Sequence, residues 1–298
     1  MNSSLIKSNP FEAAMIGSKP LLLDGAMGSY LQQKGLSTND TLWTTNINHT
    51  NPDVIVLTHL EYIDAGANII TTNTFRTNPS SLSIAGIKKS SGYVKKAVEL
   101  ARQAAIGKKV LIAGSNAPAE DCYQVERILS HYKLEMNHKN HIDLLIDTGV
   151  DFILNETQSH FDEIKIICNH CDQNDIPYVV SLYFNNKCEL LSGESLKIVL
   201  DFLIEHNPMA IGFNCISIEL FFKTFGSIHL PARWGFYLNC GSGRPTDKII
   251  RCGVQPDEYL EIVKNTMAYN PSFIGSCCGS NPSHTQKIRE YLDGQNYS

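Results

Sequence analysis

Short, unbroken apolar runs recur along the chain, and longer segments with helical periodicity separate them. Runs of this kind are typical of parallel strands that are buried on both faces, because a half-exposed strand would alternate apolar and polar residues. The eight runs lie at residues 21–24, 68–72, 110–114, 152–156, 178–182, 210–215, 234–238 and 273–278. Eight strands that alternate with helices predict an α/β fold, a single (β/α)8 TIM barrel over residues 1–298.

The segments between the runs carry helix signals. Asn51 and Pro52 predict an N-cap followed by a first-turn proline, and Gly66 closes that segment. Residues 9–10 repeat the Asn-Pro pattern and predict a short helix at the base of the barrel, within an N-terminal extension of residues 1–19. Similar helical patterns occupy residues 162–172, 193–204 and 255–267.

Composition narrows the classes of function. Of the 298 residues, 43% are hydrophobic and 18% are charged, as in an ordinary globular protein, and the formal net charge of −5 offers no basic surface for nucleic acid. Polar residues interrupt every apolar segment well before the roughly 20 residues that a membrane span needs. We therefore expect a soluble protein with neither a nucleic-acid nor a membrane partner.

The nine cysteines are an odd number, and residues 1–20 lack the apolar stretch of a signal peptide. Both features indicate a reducing compartment and predict a cytoplasmic location. In such a compartment, cysteine clusters are more often metal-binding or catalytic than parts of a disulfide framework.

Three of the cysteines stand at the ends of two predicted strands. Cys215 closes the sixth run, and Cys277 and Cys278 close the eighth, directly before Gly279. Neighbouring side chains on a regular strand point to opposite faces, so the chain has to bend at this glycine to bring both thiols to one ion. Three convergent thiolates predict a tetrahedral zinc site with one open position, the pattern of a catalytic site. The alternative is that the cysteines are buried and pack as small apolar residues.

The three thiolate ligands limit the reactions that the zinc site can support. Three thiolates outweigh the charge of a dipositive ion, which makes the zinc a weak Lewis acid and disfavours hydrolysis. Such a site favours binding another thiol as its thiolate, with a pKa roughly a unit and a half below that of the free thiol. The prediction is transfer of an alkyl group to the sulfur of a thiol substrate.

Other polar residues also follow the predicted strands, at the barrel face where active sites lie. Asp24 and Glu156 are suited to bind the ammonium group of an amino-acid thiol, whereas a helix N-cap or a buried hydrogen bond is the alternative role for each. The turn that begins at Gly25 offers backbone N–H groups to the substrate carboxylate. Further candidates for substrate binding are Thr72, Ser115 and Thr157.

Five short motifs at the ends of the predicted strands occur in a distinctive order. They are Asp24-Gly25-Ala26-Met27-Gly28, Thr72-Asn73-Thr74-Phe75, Glu156-Thr157, Asn214-Cys215 and Gly275-Ser276-Cys277-Cys278. Together they resemble the homocysteine S-methyltransferase family, which includes S-methylmethionine-dependent and betaine-dependent enzymes and the homocysteine module of cobalamin-dependent methionine synthase. The resemblance covers nearly the whole chain. Ser276 departs from it, since the family usually has a second glycine there.

The resemblance implies roles for particular residues. Cys215, Cys277 and Cys278 would bind zinc, the sulfur of homocysteine would take the fourth position, and Asp24 and Glu156 would hold its amino-acid end. In some members of the family an asparagine at the end of the seventh strand binds the metal when substrate is absent. Asn239 matches that position, although residues 239–243 depart from the usual Asn-x-Gly turn.

The methyl donor is predicted to be small, because the chain has no room for separate folate and cobalamin modules after the barrel. S-methylmethionine or S-adenosylmethionine is favoured, and betaine is the alternative. Aromatic faces attract all three cations. The candidates to line a donor pocket are Trp43, Phe75, Tyr123 and Tyr183, and ordinary packing is the alternative role for each.

The leading hypothesis is therefore a zinc-dependent S-methyltransferase that converts homocysteine to methionine. One alternative is an enzyme of the same fold that uses betaine, another thiol or a methylated corrinoid protein. An alternative from another class is a non-catalytic zinc-binding or thiol-binding protein. We expect a monomer, since no assembly element follows the predicted final helix at 282–292.

Several other features are given structural interpretations. Cys168 and Cys171 form a CxxC pattern, but they share an apolar helical face with Ile164 and Ile167, which predicts core packing. Residues 116–139 and 240–253 are predicted to be long loops above the barrel mouth, of the kind that serve as lids. The histidines in or beside the first of these loops are predicted to lie in solvent: His131, His138 and His141.

Overall fold

The structure is a computed structural model that describes residues 8–17, 19–36, 38, 41–88, 91–226, 228–243 and 247–295. Its strands are β1 (Leu21–Leu22), β2 (Ile69–Thr71), β3 (Leu111–Asn116), β4 (Phe152–Gln158), β5 (Tyr178–Leu182), β6 (Ala210–Asn214), β7 (Trp234–Leu238), β8 (Gly241–Ser242), β9 (Arg251–Cys252) and β10 (Phe273–Ser276). All eight predicted strands are present, and the two additional ones, β8 and β9, are short.

The helices alternate with the long strands. They are α1 (Pro10–Ile16), α2 (Met27–Gln33), α3 (Ile47–Thr50), α4 (Pro52–Asp64), α5 (Pro79–Ile84), α6 (Ser91–Ala104), α7 (His131–Thr148), α8 (Phe161–Gln173), α9 (Leu196–His206), α10 (Ile218–Phe225), α11 (Pro256–Thr266) and α12 (Pro282–Gly294). A 3-10 turn at Met267–Tyr269 follows α11. None of the helices in the described ranges combines the length and apolar character that a membrane span requires.

Eight of the strands form one parallel sheet, in the order β1-β10-β7-β6-β5-β4-β3-β2. A parallel bridge between Leu23 and Ile69 joins the first strand to the second and closes the ring. The (β/α)8 barrel prediction is confirmed. Since β6 and β10 both flank β7, the topology brings close together the ends of the two strands that the three clustered cysteines follow.

Alternation along the strands divides the apolar residues into two layers. Those that face the barrel interior are Leu23, Ile69, Ala113, Phe152, Leu154, Val179, Ala210, Tyr237 and Phe273. Their neighbours in sequence belong to a larger cluster between the sheet and the helices, which includes Leu22, Ile70, Ile112, Ile153, Val180, Ile211, Phe236 and Ile274. Both faces of each strand are therefore buried, as the unbroken apolar runs predict.

Helix α1 covers one end of the barrel. Its N-cap, Asn9, accepts a hydrogen bond from the backbone N–H of Phe11 at 3.0 Å and donates one to the carbonyl of Met209 at 2.9 Å. The ring of Phe11 packs edge-on against Phe152 and Phe273, the first residues of β4 and β10, with centroid distances of 5.6 and 5.4 Å. The opposite end of the barrel holds the carboxyl ends of the strands.

The prediction of a loop over residues 116–139 is wrong from residue 131 onwards. Helix α7 begins at His131, so the connection from β3 covers only residues 117–130. The prediction that His138 and His141 lie in solvent is also wrong, since both are at most 1% exposed. Their ring nitrogens are within hydrogen-bonding distance of Asn116, at 3.1 and 2.9 Å, which makes their burial possible. His131 is exposed, as predicted.

Three further predictions have clear outcomes. Cys168 and Cys171 are fully buried in α8, so their interpretation as core residues is confirmed. Asn51 occupies the N-cap position of α4, but its side chain makes no capping hydrogen bond. The predicted second long loop contains a small antiparallel sheet, in which Gly241 pairs with Cys252 and Ser242 with Arg251.

Candidate metal centre

Three cysteine sulfurs converge at the carboxyl ends of β6 and β10. The Sγ atom of Cys215 lies 3.1 Å from that of Cys277 and 3.5 Å from that of Cys278, and all three lie within 4.8 Å of one another. In the part of the chain that the structure describes, no other group of three or more histidine, cysteine or acidic side chains is close enough to hold a metal.

Local backbone geometry makes this convergence possible. Cys215 has a φ of +57°, a left-handed conformation that is uncommon for a non-glycine residue and turns the chain at the end of β6. Gly279 has a φ of +86°, and a Cβ atom there would lie 2.5 Å from the backbone of Gly241. The carbonyl of Cys278 accepts a hydrogen bond from the N–H of Cys240 at 2.7 Å. The predicted bend is thus fixed by contacts with the segment after β7.

Hydrogen bonds join the three thiols to one another. The contact with Cys277, whose S–H group donates to Cys215, and the contact with Cys278 hold the pKa of the Cys215 thiol well below its usual value. The same contacts with Cys215 raise the pKa values of Cys277 and Cys278. The cluster therefore favours a thiolate at Cys215, and binding of a metal would release the remaining protons. Three closely spaced sulfur donors fit a zinc ion.

Two carboxyl groups face the same cavity as the cysteines. Asp24 follows β1, and its carboxylate accepts hydrogen bonds from the backbone N–H and the hydroxyl of Thr71 at 2.7 and 2.8 Å. Burial raises the pKa of Asp24 to about 8. Glu156 lies within β4 and accepts a hydrogen bond from the hydroxyl of Ser115. Burial raises the pKa of Glu156 to about 7, and the sulfur of Cys215 adds to this effect.

Neither carboxyl group caps a helix. Helix α2 starts at Met27 with Ala26 as its N-cap, two residues after Asp24. Glu156 is an internal residue of its strand. Each carboxylate can accept about four hydrogen bonds, and the described contacts of both leave acceptor capacity on the cavity side.

A cavity of about 1150 Å³ opens at this end of the barrel. All but one of the predicted metal-binding and substrate-binding residues line it: Asp24, Gly25, Thr72, Ser115, Glu156, Thr157, Cys215, Cys277 and Cys278. The exception is Asn239, which is not among the residues that line the cavity. Its side-chain oxygen accepts a hydrogen bond from the N–H of Gly241 at 2.7 Å.

The predicted hydroxyl residues belong to a connected network. The hydroxyls of Thr72 and Thr74 are 2.7 Å apart, and the oxygen of Thr72 also accepts a hydrogen bond from the N–H of Ser115 at 3.2 Å. Because the hydroxyl of Ser115 bonds Glu156, the network links the ends of β2, β3 and β4. Thr157 is held separately, by the side chain of Asn214.

One family model, described as homocysteine S-methyltransferase, matches residues 21–292. The chain belongs to the homocysteine S-methyltransferase family. It is accordingly an enzyme, a methyltransferase, and the resemblance noted in its sequence motifs is confirmed.

Individual proteins of this family are similar along their whole length. The chain is 25% identical over 305 residues to a homocysteine S-methyltransferase of Escherichia coli, covering 95% of this chain and 98% of that protein. It is 26% identical to a betaine-homocysteine S-methyltransferase of Drosophila melanogaster, covering 94% and 96%. The metallated form of the homocysteine methyltransferase MmuM from Escherichia coli superposes with a TM-score of 0.79 at 25% identity, covering 95% of this chain and 99% of that one.

Aromatic side chains form one wall of the cavity in this homocysteine S-methyltransferase fold. Trp43 and Phe75 line it and pack edge-on with a centroid distance of 6.0 Å. Tyr123 also lines it, and Tyr183 packs against the ring of Tyr123 at 5.1 Å without lining the cavity itself. A Cβ atom on Gly28 would lie 2.4 Å from the ring of Trp43, so this wall depends on the glycine in the motif after β1.

Tyr237 and Arg76 are among the lining residues that the sequence analysis missed. Tyr237 faces the barrel interior on β7, and its buried hydroxyl has no hydrogen-bond partner among the described residues. Arg76 lies over the ring of Phe75 at 5.4 Å and donates a hydrogen bond to the carbonyl of Glu120 at 3.1 Å. The sequence held a signal for Tyr237, since residues two apart on β7 share a face. No local pattern distinguishes Arg76.

Proposed function

We propose that this chain is a zinc-dependent enzyme that transfers a methyl group from a small sulfonium donor to the thiolate of homocysteine, giving methionine. The observation that carries the proposal is the convergence of three cysteine sulfurs within 4.8 Å of one another on a cavity that the carboxyl groups of Asp24 and Glu156 also line. Cys215, Cys277 and Cys278 would hold the zinc. Bound zinc keeps a substrate thiol deprotonated at neutral pH while its sulfur remains nucleophilic.

The amino-acid end of homocysteine is assigned to residues around the carboxyl groups. Asp24 and Glu156 would bind the ammonium group, which favours their ionised forms and offsets the effect of burial on their pKa values. The backbone at Gly25, two residues before the start of helix α2, would receive the carboxylate. Supporting hydrogen bonds would come from Thr72, Ser115 and Thr157.

The donor is assigned to the aromatic wall. Trp43, Phe75 and Tyr123 present ring surfaces that attract a sulfonium or quaternary ammonium cation. In the reaction, the homocysteine sulfur forms a bond to the methyl carbon as the bond between that carbon and the donor sulfur breaks. The donor leaves as a neutral thioether, so the chain has to align the two sulfurs on either side of the methyl group. S-methylmethionine and S-adenosylmethionine are the favoured donors.

Betaine is the specific alternative donor, because its quaternary ammonium suits the same aromatic wall and a relative of similar identity is named a betaine-homocysteine S-methyltransferase. Another thiol acceptor or a methylated corrinoid protein would require the same cysteines. A non-catalytic zinc-binding or thiol-binding protein would also keep the cysteines, but it would have no use for the aromatic wall. A donor assay distinguishes betaine from the sulfonium donors, and it separates turnover on these small donors from the other three cases.

Three further assignments accompany this proposal. Asn239 remains a candidate metal ligand for the substrate-free enzyme, and it would have to release the N–H of Gly241 to act as one. We propose a cytoplasmic location, because the three thiols must stay reduced to bind zinc. The proposed monomer is testable by light scattering of the purified protein.

The test measures zinc content and methionine formation on one purified, reduced sample. The sample is supplied with homocysteine and, in turn, S-methylmethionine, S-adenosylmethionine or betaine. One zinc per chain with turnover on a sulfonium donor is the expected result. Turnover on betaine alone would replace the proposed donor, and one zinc without turnover would point to another thiol, a corrinoid partner or a non-catalytic protein. Full activity without bound metal would overturn the proposal.

A further inference from the structure

The hydroxyl of Tyr123 donates a hydrogen bond to the Sγ atom of Cys215 at 3.4 Å. Tyr123 lies on the 117–130 loop, between β3 and α7, and reaches over the cysteine cluster from outside the barrel strands. Within the described ranges, no other side chain besides the cysteines themselves makes a hydrogen bond to any of the three sulfurs. The contact joins residues that are 92 positions apart in sequence.

The ring of Tyr123 is held in place on its own side of the cavity. It packs edge-on against Tyr183, which follows β5, with a centroid distance of 5.1 Å and an angle of 76° between the ring planes. The N–H of Tyr123 donates a hydrogen bond to the carboxylate of Asp121 at 2.9 Å. Both the ring and the backbone of Tyr123 are thus fixed independently of the contact with Cys215.

Ion pairs between side chains anchor the 117–130 loop, which carries Tyr123, to helix α8. Arg127 forms ion pairs with Glu163 at 2.7 Å, Asp162 at 2.9 Å and Glu120 at 3.2 Å. Glu163 is fully buried in α8, and its other oxygen accepts a hydrogen bond from the N–H of Ala119 at 2.7 Å. A buried charge pair of this kind is costly to break from one side, so the loop has a defined position over the cavity.

The negative charge of a metal-bound cysteine cluster gives the hydroxyl of Tyr123 a role. Three thiolates around a dipositive ion leave a net charge of about −1, and a substrate thiolate in the fourth position makes it about −2. A hydroxyl that donates to one ligand sulfur withdraws part of this charge, and donors in this position around a metal site also orient the ligand. Its effect should be larger after the fourth thiolate binds than before.

We propose that Tyr123 is a positioning residue of the metal site, whose hydroxyl bonds the Cys215 thiolate and thereby strengthens the binding of the substrate thiolate. The identity of that thiolate rests on the proposed function, whereas the bond to Cys215 does not. Tyr123 also presents its ring to the cavity. One residue therefore links the 117–130 loop, the metal ligand and the aromatic wall.

The test compares Tyr123→Phe with Tyr183→Phe. Each variant removes one hydroxyl from the same pair of packed rings, but only the first removes a donor to a cysteine sulfur. The measurements are zinc affinity by competition with a chelator, and absorption of the cobalt-substituted protein during titration with homocysteine. Tyr123→Phe should weaken homocysteine binding about tenfold or more, weaken zinc binding less, and shift the sulfur-to-cobalt charge-transfer bands. Tyr183→Phe should leave the zinc affinity and the bands as in the wild type.

Unchanged homocysteine affinity and an unchanged cobalt spectrum in Tyr123→Phe would overturn the inference. The same spectral shift in Tyr183→Phe would overturn it too, because the effect would then come from the packing of the rings. A wild-type protein that binds metal and homocysteine but methylates it with no donor would contradict the proposed function. A loss of affinity specific to Tyr123→Phe would still support the inference in that case.

Discussion

The side chain of Asn214 makes two hydrogen bonds to Thr157. Its Oδ1 atom accepts from the backbone N–H of Thr157 at 2.8 Å, and its Nδ2 atom donates to the Thr157 hydroxyl, also at 2.8 Å. Asn214 directly precedes Cys215, and Thr157 directly follows Glu156. The pair therefore couples a candidate metal ligand, Cys215, to a side chain that is proposed to bind the substrate, Glu156. Both Thr157 and Cys215 have a φ of +57°, which an L-residue adopts only when its surroundings enforce it.

Asn214→Ala should remove the two hydrogen bonds that connect Cys215 to the segment around Thr157. It leaves the buried N–H and hydroxyl of Thr157 without partners, which costs about 1–3 kcal/mol for each unpaired group. We expect a lower free energy of unfolding in urea together with weaker zinc binding. Thr157→Ser is the matched control, because it keeps both hydrogen bonds and should preserve zinc binding. Zinc affinity at the wild-type level in Asn214→Ala would show that the pair does not position Cys215.

Removal of a thiol from the cluster should have a different effect from removal of a thiol from the core. Cys215→Ala should abolish both zinc binding and methyl transfer, because two cysteines leave the ion without a third protein ligand. Cys171→Ala should keep one zinc per chain and lose about 1 kcal/mol of stability, since Cys171 is fully buried in α8. Zinc analysis and thermal unfolding of both variants check this. Active, metal-free Cys215→Ala protein would refute the proposed metal chemistry.

The pH dependence of the free energy of unfolding should report the ionisation of Asp24. Its pKa rises from 3.8 to about 8 on folding, chiefly through burial, so the folded state binds a proton that the unfolded state has lost between these values. The free energy of unfolding of the metal-free, reduced protein should therefore fall as the pH rises from about 4 towards 8.

Urea denaturation at about pH 5, 6, 7 and 8 measures this slope. Asp24→Asn cannot ionise, so its stability should fall less steeply than that of the wild type over the same range. Asp201→Asn, at an exposed position on α9, is the control and should retain the wild-type slope. Equal slopes for Asp24→Asn and the wild type would contradict the assignment of the raised pKa to Asp24.

Gly28→Ala should disturb the aromatic wall without touching the cysteines. The added Cβ atom would lie 2.4 Å from the Trp43 ring, which must move away. A misplacement of about 1 Å can cost on the order of a hundredfold in rate, so we expect kcat/KM for the donor to fall at least about tenfold while one zinc remains bound.

The control for this variant is Gly92→Ala. Gly92 lies in α6 with open space around the position of a Cβ atom, so alanine there should leave activity unchanged and stabilise the helix by about 0.5–1 kcal/mol. Steady-state kinetics with varied donor and fixed homocysteine separates the two variants. An unchanged kcat/KM for the donor in Gly28→Ala would show that Trp43 does not form part of the donor site.

Much of the fold follows from local patterns in the sequence. Runs such as Tyr178–Leu182 and Trp234–Leu238 coincide with the observed strands because an unbroken apolar segment of this length has to be buried on both faces. Strand order then constrains the site, since β6 and β10 are separated only by β7. Cysteines at the ends of these strands can converge with only a turn at each.

The helix α7 shows where local patterns fail. Its buried residues recur at helical spacing and include Leu134, Asn137, His138, His141, Ile142 and Leu145. Half of this inward stripe is polar, so hydropathy predicts a loop. Burial is favourable there only because partners from distant segments, such as Thr77, Asn116 and Glu163, satisfy the ring nitrogens.

The sequence by itself determined the barrel, the family and the three cysteines, because each depends on residue types at strand ends and on a fixed order of strands. Only the tertiary structure decided that Asn214 holds Thr157, that Trp43 packs on Gly28 and that Tyr123 bonds Cys215. The physical reason is that a hydrogen bond or a ring contact depends on positions within a fraction of an ångström. Those positions are set by the packing of segments far apart in the chain, and no local pattern of residues records them.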